Sequence, residues 1–108
     1  MVFSAELALE IDRRIDLFFD EWKMPKTATG YRYTKEVVAY MIANPGVLPY
    51  GAVKKVATKL EIKEATIRGS VYTFVALGVP PHDSIYVNSA KLKPSDFLTL
   101  CMNTVLQE

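Results

Sequence analysis

The sequence predicts an all-α fold, in which residues 1–108 form a single compact domain of about five or six helices. Apolar residues recur at spacings of three and four along most of the chain, which is the periodicity of amphipathic helices. Strand-type composition is rare and is clearest at Ile85-Tyr86-Val87, which has no evident partner strand. Half of the residues are hydrophobic and 23% are charged, as in a globular domain that buries its own core.

The first helix is predicted to begin after Ser4, a residue type favoured at N-caps, and to end at Met24-Pro25, because the residue before a proline disfavours the α region. Its apolar stripe comprises Leu7, Ile11, Ile15, Phe18 or Phe19, and Trp22. Acidic and basic residues occupy much of the opposite side. A helix that docks on its own domain explains this pattern better than one that binds a partner.

The second helix is predicted to follow Gly30 and to stop at Asn44-Pro45-Gly46. Its apolar positions are Val37, Val38, Tyr40, Met41 and Ile42. Tyr31 and Tyr33 near its start suit either a nucleic-acid contact or, more often, packing with a solvated hydroxyl. Residues 47–51 are interpreted as a short bridge anchored by Leu48.

The central stretch, about residues 53–75, is predicted to be a helix-turn-helix. Residues 61–64 form its turn, with Ile62 as a buried anchor. The inward positions of the two helices are Val53, Val56, Ala57 and Leu60, then Ile67, Val71, Phe74 and Val75. The second helix would present Ala65, Thr66, Arg68, Gly69, Tyr72 and Thr73 outward, the layout of a recognition helix. An ordinary helical hairpin explains the periodicity equally well.

The end of the chain predicts one more helix. Gly78 and Pro80-Pro81 stop the preceding helix, and residues 82–93 are expected to be a loop or a short helical turn. Residues 93–96, Lys-Pro-Ser-Asp, have the composition of a helix start. The buried positions that follow are Phe97, Leu98, Cys101, Met102, Val105 and Leu106.

The charge is unevenly distributed although the net charge is only +1. Residues 1–25 contain six acids and three bases, whereas residues 50–78 contain five bases and two acids. A positive surface of this kind suits DNA phosphates, although a solvated helix face explains it nearly as well. The DNA interpretation places Lys54, Lys55, Lys59 and Lys63 on phosphates and Thr66, Arg68, Tyr72 and Thr73 in the major groove.

The composition argues against an enzyme, a metal site and a cofactor. The chain has one histidine, His82, and one cysteine, Cys101, so a zinc or nucleophilic His/Cys site is unsupported. The five glycines form no phosphate-binding loop. The absence of a long apolar run or a basic signal segment, with a single core thiol, predicts a cytoplasmic protein without a membrane segment.

Three motifs resemble the C-terminal effector domain of the sporulation master response regulator of endospore-forming bacteria, from about Leu9 to the end. Residues 30–36 are similar to that family's Gly-Tyr-Lys-Tyr-Leu-Arg-Glu, and residues 56–60 to its Ile-Ala-Lys-Lys-Phe. Residues 93–97 are similar to its Lys-Pro…Ser-Glu-Phe, two residues shorter. The resemblance implies a helical domain that binds double-stranded DNA beside promoters and contacts the polymerase sigma subunit.

The chain also departs from that family. The 108 residues include no receiver domain, so control by phosphorylation would have no acceptor within this sequence. Thr66, Gly69 and Tyr72 occupy the family's recognition-helix arginine positions, and Arg68 stands where the family has glutamate. Two functions therefore remain open. One is a DNA-binding regulator that uses Arg68 to read bases; the other is a protein-interaction module that kept the fold and lost base reading. Such a module would antagonise or pair with a full-length regulator or a polymerase subunit. A homodimer is an open alternative in either case.

Overall fold

The structure, a computed structural model, describes residues 4–81 and 93–107. These residues contain no strand and form five helices: α1 (Ala5–Glu21), α2 (Thr29–Ala43), α3 (Pro49–Leu60), α4 (Glu64–Ala76) and α5 (Pro94–Gln107). The predicted all-α fold is confirmed. The Cα radius of gyration is 13.0 Å, close to the roughly 13 Å of a compact 100-residue domain. The expectation of a loop or helical turn over residues 82–92 falls outside the described residues.

The start of α1 follows the prediction. The Ser4 hydroxyl accepts a hydrogen bond from the Leu7 N–H at 3.1 Å, so Ser4 is the N-cap. The helix buries Ile11, Ile15, Phe18, Phe19 and the adjoining Trp22. Leu7 is 45% exposed, and its predicted place in the buried stripe is wrong. It lies one turn before Ile11, where no described helix covers it fully.

The end of α1 comes earlier than the predicted stop at Met24-Pro25. The helix ends at Glu21, and Lys23 adopts a left-handed φ of 55°. The Met24 N–H then donates to the Phe19 carbonyl at 2.9 Å. This Schellman arrangement satisfies the last helical carbonyls before the proline is reached.

The central helix is α2, which packs against each of the other four helices. Its start is in very close contact with α4, because a Cβ at Gly30 would lie 2.3 Å from the Ser70 carbonyl oxygen and 2.5 Å from the Phe74 Cβ. Only glycine allows this approach without a shift of one helix. Gly30 therefore sets the distance between the start of α2 and α4.

The predicted helix, short turn and helix are formed by α3 and α4. Glu61 adopts a left-handed φ of 56°, and the Ile62 N–H donates to the Ala57 carbonyl at 3.0 Å, which closes α3 with another Schellman-type turn. Ile62 packs against the core as predicted, but it is half-buried and not fully buried. Of the predicted inward positions, Leu60 is half-buried. The other seven are buried: Val53, Val56, Ala57, Ile67, Val71, Phe74 and Val75.

The segment before α3 differs from the prediction. The helix begins at Pro49, several residues earlier than expected, and Leu48 is its N-cap. Proline is favoured at the first helical position because its missing N–H is not needed there. Leu48 is 73% exposed, so the prediction that it anchors a bridge over residues 47–51 is wrong. An N-cap residue at this corner lies outside the buried face of the helix.

The last helix, α5, begins at Pro94 as residues 93–96 predict. It buries Phe97, Leu98, Cys101 and Val105. Leu106 is 57% exposed, so its predicted burial is wrong, and Met102 is half-buried. Burial raises the pKa of the Cys101 thiol, as expected for a cysteine used as a small core residue.

The core joins α1, α4 and α5 through aromatic rings. The ring centroids of Phe19 and Phe74 are 5.2 Å apart, as are those of Trp22 and Phe97. The Trp22 carbonyl also accepts a hydrogen bond from the Val79 N–H at 2.7 Å, which holds the chain after α4 against the end of α1. Within the described ranges, no helix is long and apolar enough to cross a membrane.

Candidate functional site

Three of the four predicted phosphate-binding lysines lie together. Lys54 and Lys55 on α3 and Lys63 at the N-cap of α4 are exposed. They line one shallow concavity at the α3–α4 turn, which also contains Glu61 and Glu64. No salt bridge joins these three lysines to a carboxylate of the described residues. Their charge is therefore available to an anionic partner.

The fourth lysine, Lys59, is different. Its ammonium lies 3.1 Å from the Glu36 carboxylate of α2, and its side chain remains largely exposed. The pair brings a compensating negative charge beside Lys59. Lys59 thus contributes less net positive charge to the surface than the three lysines at the turn.

The exposed surface of α4 has two sides, and the predicted base-facing residues are divided between them. Thr66 and Thr73 lie with Gly69 on one side, in a concavity shared with residues 28–30 at the start of α2. All three α4 residues are exposed. The residues of this concavity are uncharged and, apart from Phe74 and Leu77, they are small, so the backbone of α4 at Gly69 is open to close approach.

The other side of α4 carries Arg68 and Tyr72. Together with Pro49, Tyr50 and Ser95 they line a small cleft between α3, α4 and α5. The Tyr72 hydroxyl donates to the Tyr50 hydroxyl at 3.3 Å, and this hydrogen bond is the main reason that the pKa of Tyr72 is raised. The Arg68 guanidinium lies 3.6 Å from the Glu64 carboxylate.

Tyr50 and Glu36 are neighbours of this surface that the sequence does not predict. The bridge interpretation of residues 47–51 includes Tyr50, whereas Pro49 at the first position of α3 places Tyr50 in a helical turn beside α4. The N1 preference of proline is the signal that could have found it. Glu36 and Lys59 are 23 residues apart, and their contact has no sequence signal.

Tyr31 belongs to a structural network between α1 and α2. Its hydroxyl donates to the Asp16 carboxylate, while the Lys35 ammonium lies 2.8 Å from Asp12 and 3.0 Å from Asp16. The Tyr31 ring packs edge-on against Phe19 at a centroid distance of 5.4 Å. These contacts support the interpretation of Tyr31 as a packing residue. They also pair Asp12 and Asp16 of α1 with side chains of α2.

Comparison of the chain with protein-family models, with curated proteins and with solved structures gives no match. The assignment of a function therefore depends on the residues themselves and on how α3 and α4 present them. In the part of the chain that the structure describes, no group of three His, Cys, Asp or Glu side chains is arranged to hold a metal ion.

Proposed function

We propose that the chain is a DNA-binding transcriptional regulator of the helix-turn-helix class, similar in function to the sporulation effector domain that its motifs resemble. The observation that carries this proposal is the position of Lys54, Lys55 and Lys63, which lie together at the α3–α4 turn, next to the start of α4, without a salt-bridge partner among the described residues. Lysines in such a position neutralise DNA phosphates while the adjoining helix enters the major groove.

The small side chains of α4 support this role. An α-helix with its side chains is about 10–12 Å across, and the major groove is about 12 Å wide, so a helix with a slim exposed face enters deeply. Gly69 is exposed and has no atom within 4 Å of the place where a Cβ would be. Thr66 and Thr73, on the same side, would then contact base edges or thymine methyl groups.

Fluorescence anisotropy tests the proposal directly. The intact chain is titrated with a duplex selected from a genomic DNA pool and with a scrambled duplex, each at two salt concentrations. We expect saturable binding that favours the selected duplex and weakens with salt, because phosphate neutralisation releases counterions. Absence of binding at low salt would overturn the proposal.

A steric variant locates the interface on α4. Gly69→Gln adds a neutral, helix-compatible side chain at a position with no neighbouring atoms, so the fold should be retained. We expect it to lower DNA affinity at least tenfold, about 1.4 kcal/mol, by holding α4 away from the groove. Asn103→Gln, at an exposed position of α5, is the matched control and should bind as the unaltered chain does.

The second candidate is a protein-interaction module that kept the fold without base reading. The lack of charge on the side of α4 with Gly69 favours this candidate. The only basic residue of the helix, Arg68, lies on the other side and is paired with Glu64. The partner would be a homologous full-length regulator or a polymerase subunit, as the resemblance implies. Co-purification of such a regulator by a chain that binds no duplex would support this candidate.

A further inference from the structure

The cleft on the second side of α4 contains two tyrosines that the core does not require. Tyr50 is 58% exposed and Tyr72 is 41% exposed. Their hydroxyl oxygens are 3.3 Å apart, longer than the 2.5–3.0 Å of an ordinary O–H···O hydrogen bond. The two hydroxyls are therefore held weakly and can turn toward a third oxygen atom.

The cleft presents hydrogen-bond donors and a positive charge. In the pair described, Tyr72 donates to Tyr50, which leaves the hydroxyl hydrogen of Tyr50 without an acceptor among the described residues. The half-buried Arg68 beside them carries five N–H donors in a fixed fork. Its nearest carboxylate, that of Glu64, is 3.6 Å away, so most of these donors remain available. This donor set fits the oxygens of a phosphate.

The position of the cleft decides which part of DNA it meets, an inference that rests on the proposed function. Consecutive residues are about 100° apart around a helix, so Arg68 is turned about 100° away from Gly69. Tyr72 is turned about 60° from Gly69 in the same direction as Arg68. Thr66 and Thr73 are turned the opposite way. When the side of α4 with Thr66 and Thr73 faces the base edges, Arg68 and Tyr72 therefore face sideways toward one wall of the groove. Tyr50, contributed by α3, lies still farther from the bases.

We propose that Tyr50, Arg68 and Tyr72 bind one backbone phosphate of the DNA. This assignment replaces the sequence-based expectation that Arg68 and Tyr72 read bases. It gives the three residues one role, which is to set the position of α4 along the groove. Base contacts then come from Thr66 and Thr73 on the other side.

A phosphate-by-phosphate test uses duplexes in which a neutral methylphosphonate replaces one phosphate at a time. Tyr50→Phe and Tyr72→Phe should each lower affinity about tenfold for selected and scrambled duplexes alike, the loss expected for a hydrogen bond to a charged group. On the duplex whose methylphosphonate removes the phosphate they contact, these variants and the unaltered chain should bind equally. Tyr40→Phe, a tyrosine of α2 outside the cleft, is the control and should bind as the unaltered chain does.

The Arg68→Ala variant distinguishes a phosphate contact from a base contact. If it contacts a phosphate, Arg68→Ala weakens binding to all duplexes alike and reduces the slope of log affinity against log salt by about 0.9. A relaxed sequence preference would overturn the phosphate assignment. Unchanged affinity of both tyrosine variants would also overturn the phosphate assignment. The proposed function would still stand in that case, provided that the unaltered chain binds DNA. Failure of the unaltered chain to bind any duplex would overturn both.

Discussion

Gly30 and Gly69 have opposite surroundings, and the same substitution should have opposite effects at the two positions. A Cβ at Gly69 meets open space, whereas at Gly30 it would meet α4 backbone at 2.3 Å. We expect Gly69→Ala to raise the free energy of unfolding by about 1 kcal/mol, because alanine favours a helix interior. Gly30→Ala should lower it by about 1–3 kcal/mol through overpacking.

Urea unfolding of the two glycine variants measures both changes. A destabilised Gly69→Ala variant would mean that the glycine is needed by the fold itself. A stable Gly69→Ala variant with weakened DNA binding would instead show that the glycine serves the close approach of a partner.

Thr34 is the one buried polar side chain whose hydroxyl makes no hydrogen bond among the described residues. An unsatisfied buried hydroxyl costs about 1–3 kcal/mol. Thr34→Val keeps the shape, so we expect the free energy of unfolding to rise by about 1 kcal/mol.

Thr104→Val is the matched control for Thr34→Val. Its hydroxyl already donates to the Leu100 carbonyl at 2.8 Å, so the same change should bring no gain in stability. Equal gains in urea unfolding for both variants would contradict the role given to the Thr34 hydroxyl.

Individual burial was predictable where helical periodicity continued on both sides of a residue. Val71 lies in mid-helix and is buried as predicted. Leu7 and Leu106 follow the same periodicity but are exposed. By contrast, Ile67 and Val75 are buried although they too lie in end turns of a helix. Periodicity assigns a residue to a face, whereas its burial requires a second element opposite that face.

The interface between α1 and α2 contains a pH-sensitive contact. Burial alone would raise the pKa of Asp16, but the Tyr31 hydroxyl and the Lys35 ammonium outweigh it, so the pKa lies below 3.8. Because the folded-state pKa is depressed, this contact stabilises the fold fully above the unfolded-state pKa. Its contribution is lost as the pH falls through the folded-state value.

Asp16→Asn should therefore lower stability at pH 7 and flatten the fall in stability below about pH 5. Tyr31→Phe removes one donor to the same carboxylate and should remove part of the same pH dependence. Thermal unfolding between pH 3 and pH 7 measures both effects. An Asp16→Asn curve parallel to that of the unaltered chain would contradict the assignment.

The existence and order of the helices could be predicted, but the boundaries and the close contacts between helices could not. Pro49 begins α3 within the stretch predicted to be a bridge. Proline in a sequence indicates the end of a helix unless it occupies the first helical position, and the sequence does not show which of the two applies. Gly30 is part of a recognisable motif, yet its contact with Ser70 depends on how α2 crosses α4. The division of the α4 surface into two sides could not be predicted for the same reason, since one side is completed by Tyr50 from another helix.

At the scale of the whole molecule, charge is separated between two regions of the fold. The acid-rich α1 packs mainly against α2 and α5, and the lysines gather at the α3–α4 turn. Such a dipole orients an approaching protein with its positive end toward DNA. Under the proposed function, the affinity for DNA should then depend on where a charge is removed, and not only on the net charge.

Lys63→Gln and Arg13→Gln test this dependence, since each removes one positive charge from an exposed position. We expect Lys63→Gln to weaken binding to every duplex and to reduce the salt slope by about 0.9, the value of one phosphate contact. Arg13→Gln, on α1 beside Glu10, should leave the salt slope unchanged. Anisotropy titrations from 50 to 200 mM salt, a range over which several phosphate contacts change affinity by orders of magnitude, separate the two. Equal slopes for both variants would mean that the lysines at the turn act only through net charge. The position of these lysines would then no longer support the placement of α4 in the major groove.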